Sequence, residues 1–282
     1  MKPSVSITCV TRYAVLIALS IVMLLPLAIM LSTSLKTFSE VMADPPRFLP
    51  QTLNFRNYVD AFTTFPFGTY LLNTLILTFA RVAGTVISCA VVAWGFARFP
   101  SRWNLPLFLL CLSSMMLPAQ VTAIPVFSMF LSVGLYDTFW PMIVPAWLAT
   151  NAFFIFLLKQ FFETIPQDML NAARIDGCGE IRAFLTIGIP LSKPILWVVG
   201  VFAFIHSWND YFGPLIYLID EAKYPLSLGL THFMAASAHS IHGTQWHLMM
   251  AVSTFTMLPV AFFFFLAQRS FIENAMGGGM KQ

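Results

Sequence analysis

Long apolar runs separated by short polar ones set the pattern of this chain. The first run covers about residues 13–32, close to the roughly 20 residues that cross a bilayer as a helix. It follows Lys2 and Arg12 and exceeds a secretory signal core of about 7–15 residues, so it is expected to be retained. Further runs at about 69–97, 104–133, 140–158, 195–218 and 247–267 bring the expected spans to six. Between them, 33–68 reads as an ordered polar loop, 98–102 as a tight basic turn and 134–139 as a short turn. Residues 159–193 form a longer polar connection, and 219–246 a second outer loop. Pro26 kinks the first span, and Pro106, Pro118 and Pro125 interrupt the third. Pro118 and Pro125 leave the carbonyls of Ser114 and Val121 without their helical donors. Such groups must face protein or a wet cavity.

Composition agrees with an all-α integral membrane protein. Apolar residues make up 58% and charged residues 10%, where a soluble domain carries about a quarter charged. Mean hydropathy is +0.79. The net charge of +3, with no basic run, gives no reason to expect nucleic acid. Cys9, Cys89, Cys111 and Cys178 show no metal-ligand spacing and read as free thiols.

Basic residues orient the spans. With the N-terminus in the cytoplasm, the inner segments hold Lys2, Arg12, Arg98, Arg102, Lys159, Arg174, Arg182, Lys193, Arg269 and Lys281. The outer loops hold only Lys36, Arg47, Arg56 and Lys223, and Arg81 lies within the second span. Both termini are therefore expected in the cytoplasm, together with the connection around NAARIDGCGEIRAFLTIGIPLSKP, residues 171–194. Arg174, Asp176, Glu180 and Arg182 cluster there around Gly177 and Gly179, and one such charge at mid-membrane would cost about 3 kcal/mol or more. Ile181, Phe184 and Leu185 fall at i, i+3 and i+4, the stripe of a short helix. An exposed amphipathic helix with no groove supplied by its own chain is suited to a partner protein.

These residues resemble a known family. NAARIDG, followed by Phe184, Ile189, Pro190, Leu191 and Pro194, is similar to the EAA loop of bacterial ABC importer permeases. AWGFARF (93–99), MMLPAQVTAIPVF (115–127), FFETIPQDMLNAARIDG (161–177), SWNDYFGPLIYL (207–218) and LSLGLTHF (226–233) resemble sugar-importer permeases of the maltose-permease-like group. The resemblance runs from about residue 13 to the tail. It implies six transmembrane helices in a type I importer fold. A first helix and outer loop (1–68) would precede a permease core (69–270) and a cytoplasmic tail (271–282). It further implies a half-channel paired with a second, homologous permease and two copies of a cytoplasmic ATPase. An extracytoplasmic sugar-binding protein would deliver the solute in a bacterial or archaeal cytoplasmic membrane. The chain has no GxxxxGK[ST] loop, so ATP is expected on the partner subunit and no cofactor or enzymatic activity on this one.

Within that reading, Asn171, Ala172, Ala173, Asp176, Gly177, Ile181, Phe184, Leu185 and Pro190 are the candidate ATPase-coupling residues. Gly177 is expected to end a helix at positive φ. Asn171 stands where the family usually has Glu and offers only a neutral hydrogen bond. Arg81, Trp208, Asn209 and Asp210 are candidates for the translocation pathway. Arg81 reads either as a solute contact or as a buried ion pair with Asp210, the pairing being the commoner fate of an intramembrane charge. Pro214 frees the Asp210 carbonyl, which marks a polar break in the fifth span. His206 reads as a packed core histidine. His239, His242 and Gly243 sit at a mobile-looking tip suited to the binding protein; the histidines lack the carboxylate or thiol company expected of a metal site. A proton-coupled secondary transporter and a polytopic membrane enzyme are the alternative classes; the first would not need the amphipathic turn, and for the second Asp210, His206 and Arg81 form no catalytic motif.

Overall fold

A computed structural model describes residues 7–45, 47–238 and 243–277, and its described residues form helices and connecting turns without strands. The expected tip residues His239 and His242 lie outside them. In order, the helices are α1 (Ile7–Ser34), α2 (Phe38–Val41), α3 (Arg56–Thr64), α4 (Phe67–Arg98), α5 (Asn104–Ser113) and α6 (Ala119–Ser132). There follow α7 (Trp140–Trp147), α8 (Ala152–Glu163), α9 (Gln167–Ile175), α10 (Glu180–Ala183) and α11 (Ile189–Leu191). The last are α12 (Lys193–Trp208), α13 (Phe212–Tyr217), α14 (Leu226–Ala238) and α15 (Trp246–Gly277). Among the described residues, four stretches are long and apolar enough to cross a membrane, and two bent helix pairs bring the number to six when each is counted as one span. The chain is a multi-pass membrane protein.

The chain falls into two compact units, residues 1–67 with 230–258, and 68–229 with 259–282. In the first unit α1 presents its apolar stretch entirely on the surface, as a lipid-facing helix does. The segment that sequence pattern reads as an outer loop then folds over the end of α1. The buried Asn57 amide donates to the carbonyls of Ser34 (2.8 Å) and Lys36 (2.7 Å). Thr37 and Glu40 form a capping box on α2. Glu40 also accepts from the Gln51 amide at 3.0 Å. The Thr37 amide, with smaller help from Gln51, holds the Glu40 carboxyl below its ordinary range. Phe62 packs on Phe67 and Phe255, and Phe65 on Phe233, with ring centroids 4.6–5.6 Å apart.

In the second unit, the core gathers Cys89, Ala93 and Trp94 of α4 with Ile155, Leu158 and Phe162 of α8, Leu170 of α9, and Val199 and Ala203 of α12. One expectation from the sequence needs correction. The third span is not one kinked helix: Asn104–Met116 and Gln120–Ser132 meet at 101°. Pro118 ends the first piece, and the Ser114 carbonyl is taken by the Leu117 amide in a tight turn rather than by another helix or a cavity. The fifth span breaks where Asp210 and Pro214 mark it. Its helix α12 stops at Trp208 and α13 restarts at Phe212. The second outer loop, moreover, holds the 13-residue helix α14.

Candidate coupling and translocation sites

α9 ends in a six-residue Schellman turn built by Gly177. The Cys178 amide donates to the Ala173 carbonyl (2.9 Å), and the Gly177 amide to that of Arg174 (3.0 Å). Gly177 has φ +78°, the left-handed conformation expected of it. Across this turn Arg174 places Nε 2.9 Å and Nη2 2.8 Å from Glu180 Oε1, tying α9 to α10. Asn171 accepts from Arg174 Nη1 and Gln167 Nε2, each at 3.4 Å. Its amide oxygen is thus turned to its own helix. Leu170 and Ala183 are buried and anchor the turn to the core from both sides.

Apolar side chains remain outside among the exposed Asn171, Arg174, Asp176 and Arg182. Ile175 is 87% exposed, Ile181 79% and Leu185 58%. Phe184 differs from its stripe partners. It is half-buried, with its ring 5.5 Å from Trp94 and 6.3 Å from Phe162, so it anchors the stripe instead of extending it. Ala172, Asp176, Gly177 and Pro190 are exposed and Ala173 half-buried. Sequence reasoning missed Ile175, although it stands two residues from Gly177 in a polar stretch, where an isoleucine has no packing partner in sequence. After Ala183 the helix widens into a π turn, Phe184–Gly188. Pro190 follows at once and has no N–H to offer the Thr186 carbonyl. A side chain at Gly188 would meet Trp94 at 2.7 Å, so this glycine lets the helix lie directly on the indole.

The second polar joint lies within the spans. Arg81 Nη1 and Asp210 Oδ2 are 2.6 Å apart, with side chains only 16% and 17% exposed. The arginine and the aspartate meet as the pairing reading expected. Asp210 Oδ1 accepts from the Gly213 amide (3.1 Å) at the start of α13. The Asp210 carbonyl that Pro214 deprives of a donor is met by Ser227 Oγ at 2.7 Å. Of the other pathway candidates, Asn209 caps α12 through its amide to the Ile205 carbonyl (2.9 Å). Trp208 is buried and stacked on Phe204 at 5.3 Å. His206 is exposed rather than packed in a core. With Arg81, Thr85, Thr150, Asn151 and Ser207 it lines a cavity of about 130 Å³.

A third polar joint escaped the sequence reading. Asp137, at φ +54°, accepts from the amides of Ile219 (2.9 Å) and Asp220 (3.2 Å) and from Lys223 Nζ (2.5 Å). The Lys223 ammonium is the main cause that holds the Asp137 carboxyl below its ordinary range, and the same bond raises Lys223.

Apolar spans broken at a buried ion pair beside a polar cavity, with an exposed apolar turn outside them, are the marks of a membrane transport subunit. Residues 84–274 match the family of binding-protein-dependent transport system inner membrane components, and the chain belongs to that family. It is 34% identical over 211 residues to the sn-glycerol-3-phosphate transport system permease protein UgpE of Yersinia pestis, covering 74% of this chain and 73% of that one. It is 29% identical over 258 residues to the melibiose/raffinose/stachyose import permease protein MelC of Bacillus subtilis, covering 91% of each. Among solved structures, a bacterial ABC transporter involved in the import of the acidic polysaccharide alginate superposes with a TM-score of 0.82 at 24% identity. That match covers 95% of this chain and 98% of the other. The fold is that of a type I ABC importer permease.

Proposed function

We propose that the chain is one permease of an ATP-driven carbohydrate importer and that it takes its energy from a separate ATPase through the α9–α10 turn. The carrying observation is the exposure of Ile175 and Ile181 on a turn fixed by Gly177 and the Arg174–Glu180 bridge. Apolar side chains held rigidly in water gain from burial against a partner and lose little entropy on docking. Asn171, Ala172, Ala173, Asp176 and Pro190 border that surface, and Phe184 backs it. The excess of basic residues in the inner segments supports a cytoplasmic position for the turn and both termini. A second, homologous permease would complete the channel, and two ATPase copies would serve the two turns. ATP would be bound and hydrolysed on those copies.

A carbohydrate as solute is supported by the named relatives, whose solutes are oligosaccharides or a polyol phosphate. Arg81 and Asp210 belong to the pathway as a polar joint that must repack when the half-channel changes its opening. On the outer side, His239, His242 and Gly243 form the contact with the binding protein, and removal of residues 235–243 should impair uptake while the complex still assembles. Uptake into vesicles decides between drivers. ATP depletion should abolish uptake of the transported sugar, and a protonophore should leave it intact. Uptake lost to the protonophore and indifferent to ATP would overturn the proposal in favour of a proton-coupled carrier.

A further inference from the structure

The long apolar stretches differ in one respect that bears on how motion crosses the membrane. α1 contains Pro26, the α7–α8 stretch contains Pro145 and α15 contains Pro259. α4 runs 32 residues from Phe67 to Arg98 with no proline. Prolines and chain breaks are where helices bend, so α4 is the stiff member. Within the second unit it is gripped at three heights. Near its start, Asn73 donates to the carbonyls of Ala222 (2.8 Å) and Tyr224 (3.0 Å), and Thr74 Oγ1 accepts from the Leu226 amide (2.8 Å). In its middle, Arg81 holds Asp210. At its end, Arg98 closes the α8–α9 turn: Nη2 donates to the carbonyls of Phe162 and of Ile165 (2.9 Å), and Nη1 to Gln167 Oε1 (3.1 Å).

Arg98 does more than neutralise a helix end. Its guanidinium lies 5.5 Å over the Trp94 ring, and Trp94 in turn packs against Phe162, Phe184 and Gly188. One end of α4 therefore touches both flanks of the coupling turn, the α8–α9 corner and the π turn after α10. Arg81 stands 17 residues earlier, roughly 25 Å along the same helix at 1.5 Å per residue. Close-packed contacts transmit displacement instead of absorbing it.

We propose that α4 is the rod that carries movement of the α9–α10 turn to the Arg81–Asp210 joint, with Arg98 as the positioning residue that fastens the rod to the turn. This rests on the coupling reading above, and the test separates the two. In the assembled transporter, with Cys9, Cys89, Cys111 and Cys178 replaced by alanine, a cysteine is introduced by Ile175→Cys or by Thr85→Cys. Each is labelled with a methanethiosulfonate reagent, nucleotide-free and trapped with Mg-ATP and vanadate. Equal labelling at 175 with and without the ATPase sinks the coupling reading itself.

Given protection at 175, the rate at 85 should change by about threefold or more on trapping. Arg98→Gln should abolish that change with protection at 175 intact, and Arg98→Lys, which keeps a cationic donor, should restore part of it. An unchanged response at 85 in Arg98→Gln overturns the proposal, as does a protected complex with Arg98 present and no response at 85. If Arg98→Gln does not dock, Arg98→Lys decides by the same readings, since a lysine keeps the charge but cannot span the Phe162, Ile165 and Gln167 acceptors with a planar fork. A weakened response supports the rod, and a response equal to that with Arg98 overturns it.

Discussion

The chain turns twice around an arginine–carboxylate pair, and the surroundings make the two unlike. Arg174 and Glu180 bridge the coupling turn with side chains 42% and 37% exposed. Arg81 and Asp210 bridge α4 to the break after α12 at 16% and 17%. An exposed pair adds little stability because water and salt screen it. A buried pair adds little either, but losing one partner is costly, since the remaining charge has no solvent to return to. The coupling turn is therefore held mainly by its Schellman bonds and by Leu170 and Ala183, and its ion pair sets orientation. The inner joint is held by its charges, its Ser227 bond and its Gly213 bond together. A turn of the first kind can be grasped by a partner without being rebuilt. A joint of the second kind has discrete arrangements, which suits a pathway that must open on alternate sides.

The contrast can be broken most forcefully at the inner joint. Asp210→Ala should destabilise the detergent-solubilised protein by about 3–5 kcal/mol, as the Arg81 charge is left buried without its carboxylate. Arg81→Ala combined with Asp210→Ala should recover part of that loss, read as thermal melting. Ser227→Ala removes the donor from the Asp210 carbonyl and should cost about 1–3 kcal/mol in the same assay. At the coupling turn, Gly177→Ala forces a Cβ into φ +78° and should cost about 1–2 kcal/mol. Arg174→Ala should cost less than about 1 kcal/mol after screening. If Arg174→Ala proved as damaging as Asp210→Ala, the distinction between the two joints would be lost.

The Asp137–Lys223 clamp should respond least to physiological pH. Asp137 is depressed, so its contribution is full above the ordinary aspartate range and is lost only as pH falls through its lowered value. Lys223 is raised, so its contribution is full below the ordinary lysine range and is lost as pH climbs through its raised value. Between these limits, amide exchange at Ile219 and Asp220, corrected for intrinsic rate, should stay flat. Marked loosening between about pH 5 and pH 9 would contradict the clamp.

Much of this was legible in the residues. Span periodicity gave α1, α4 and α15, the Gly177 turn followed from its place after NAARID, and the Arg81–Asp210 pairing followed from the cost of a lone charge in hydrocarbon. The bend of 101° was not legible, because Pro118 announces a break but not its angle. α14 was hidden because a mostly apolar stretch of 13 residues is too short for a span and too apolar for an ordinary loop. Phe184 looked like its stripe partners until Trp94, ninety residues earlier, supplied the inward contact. Arg98 looked like one residue of a tight basic turn on the cytoplasmic side, and its three acceptors come from a segment more than sixty residues on.

The most direct test places a charge on the exposed stripe. Ile181 is 79% exposed and its side chain supports little of the fold, so Ile181→Asp should leave the melting temperature of the isolated chain unchanged. ATPase activity that co-purifies with the chain should fall to background, and ATP-driven uptake should vanish with it. Full ATPase association and full uptake in Ile181→Asp would contradict the claim that the motor takes hold at this turn.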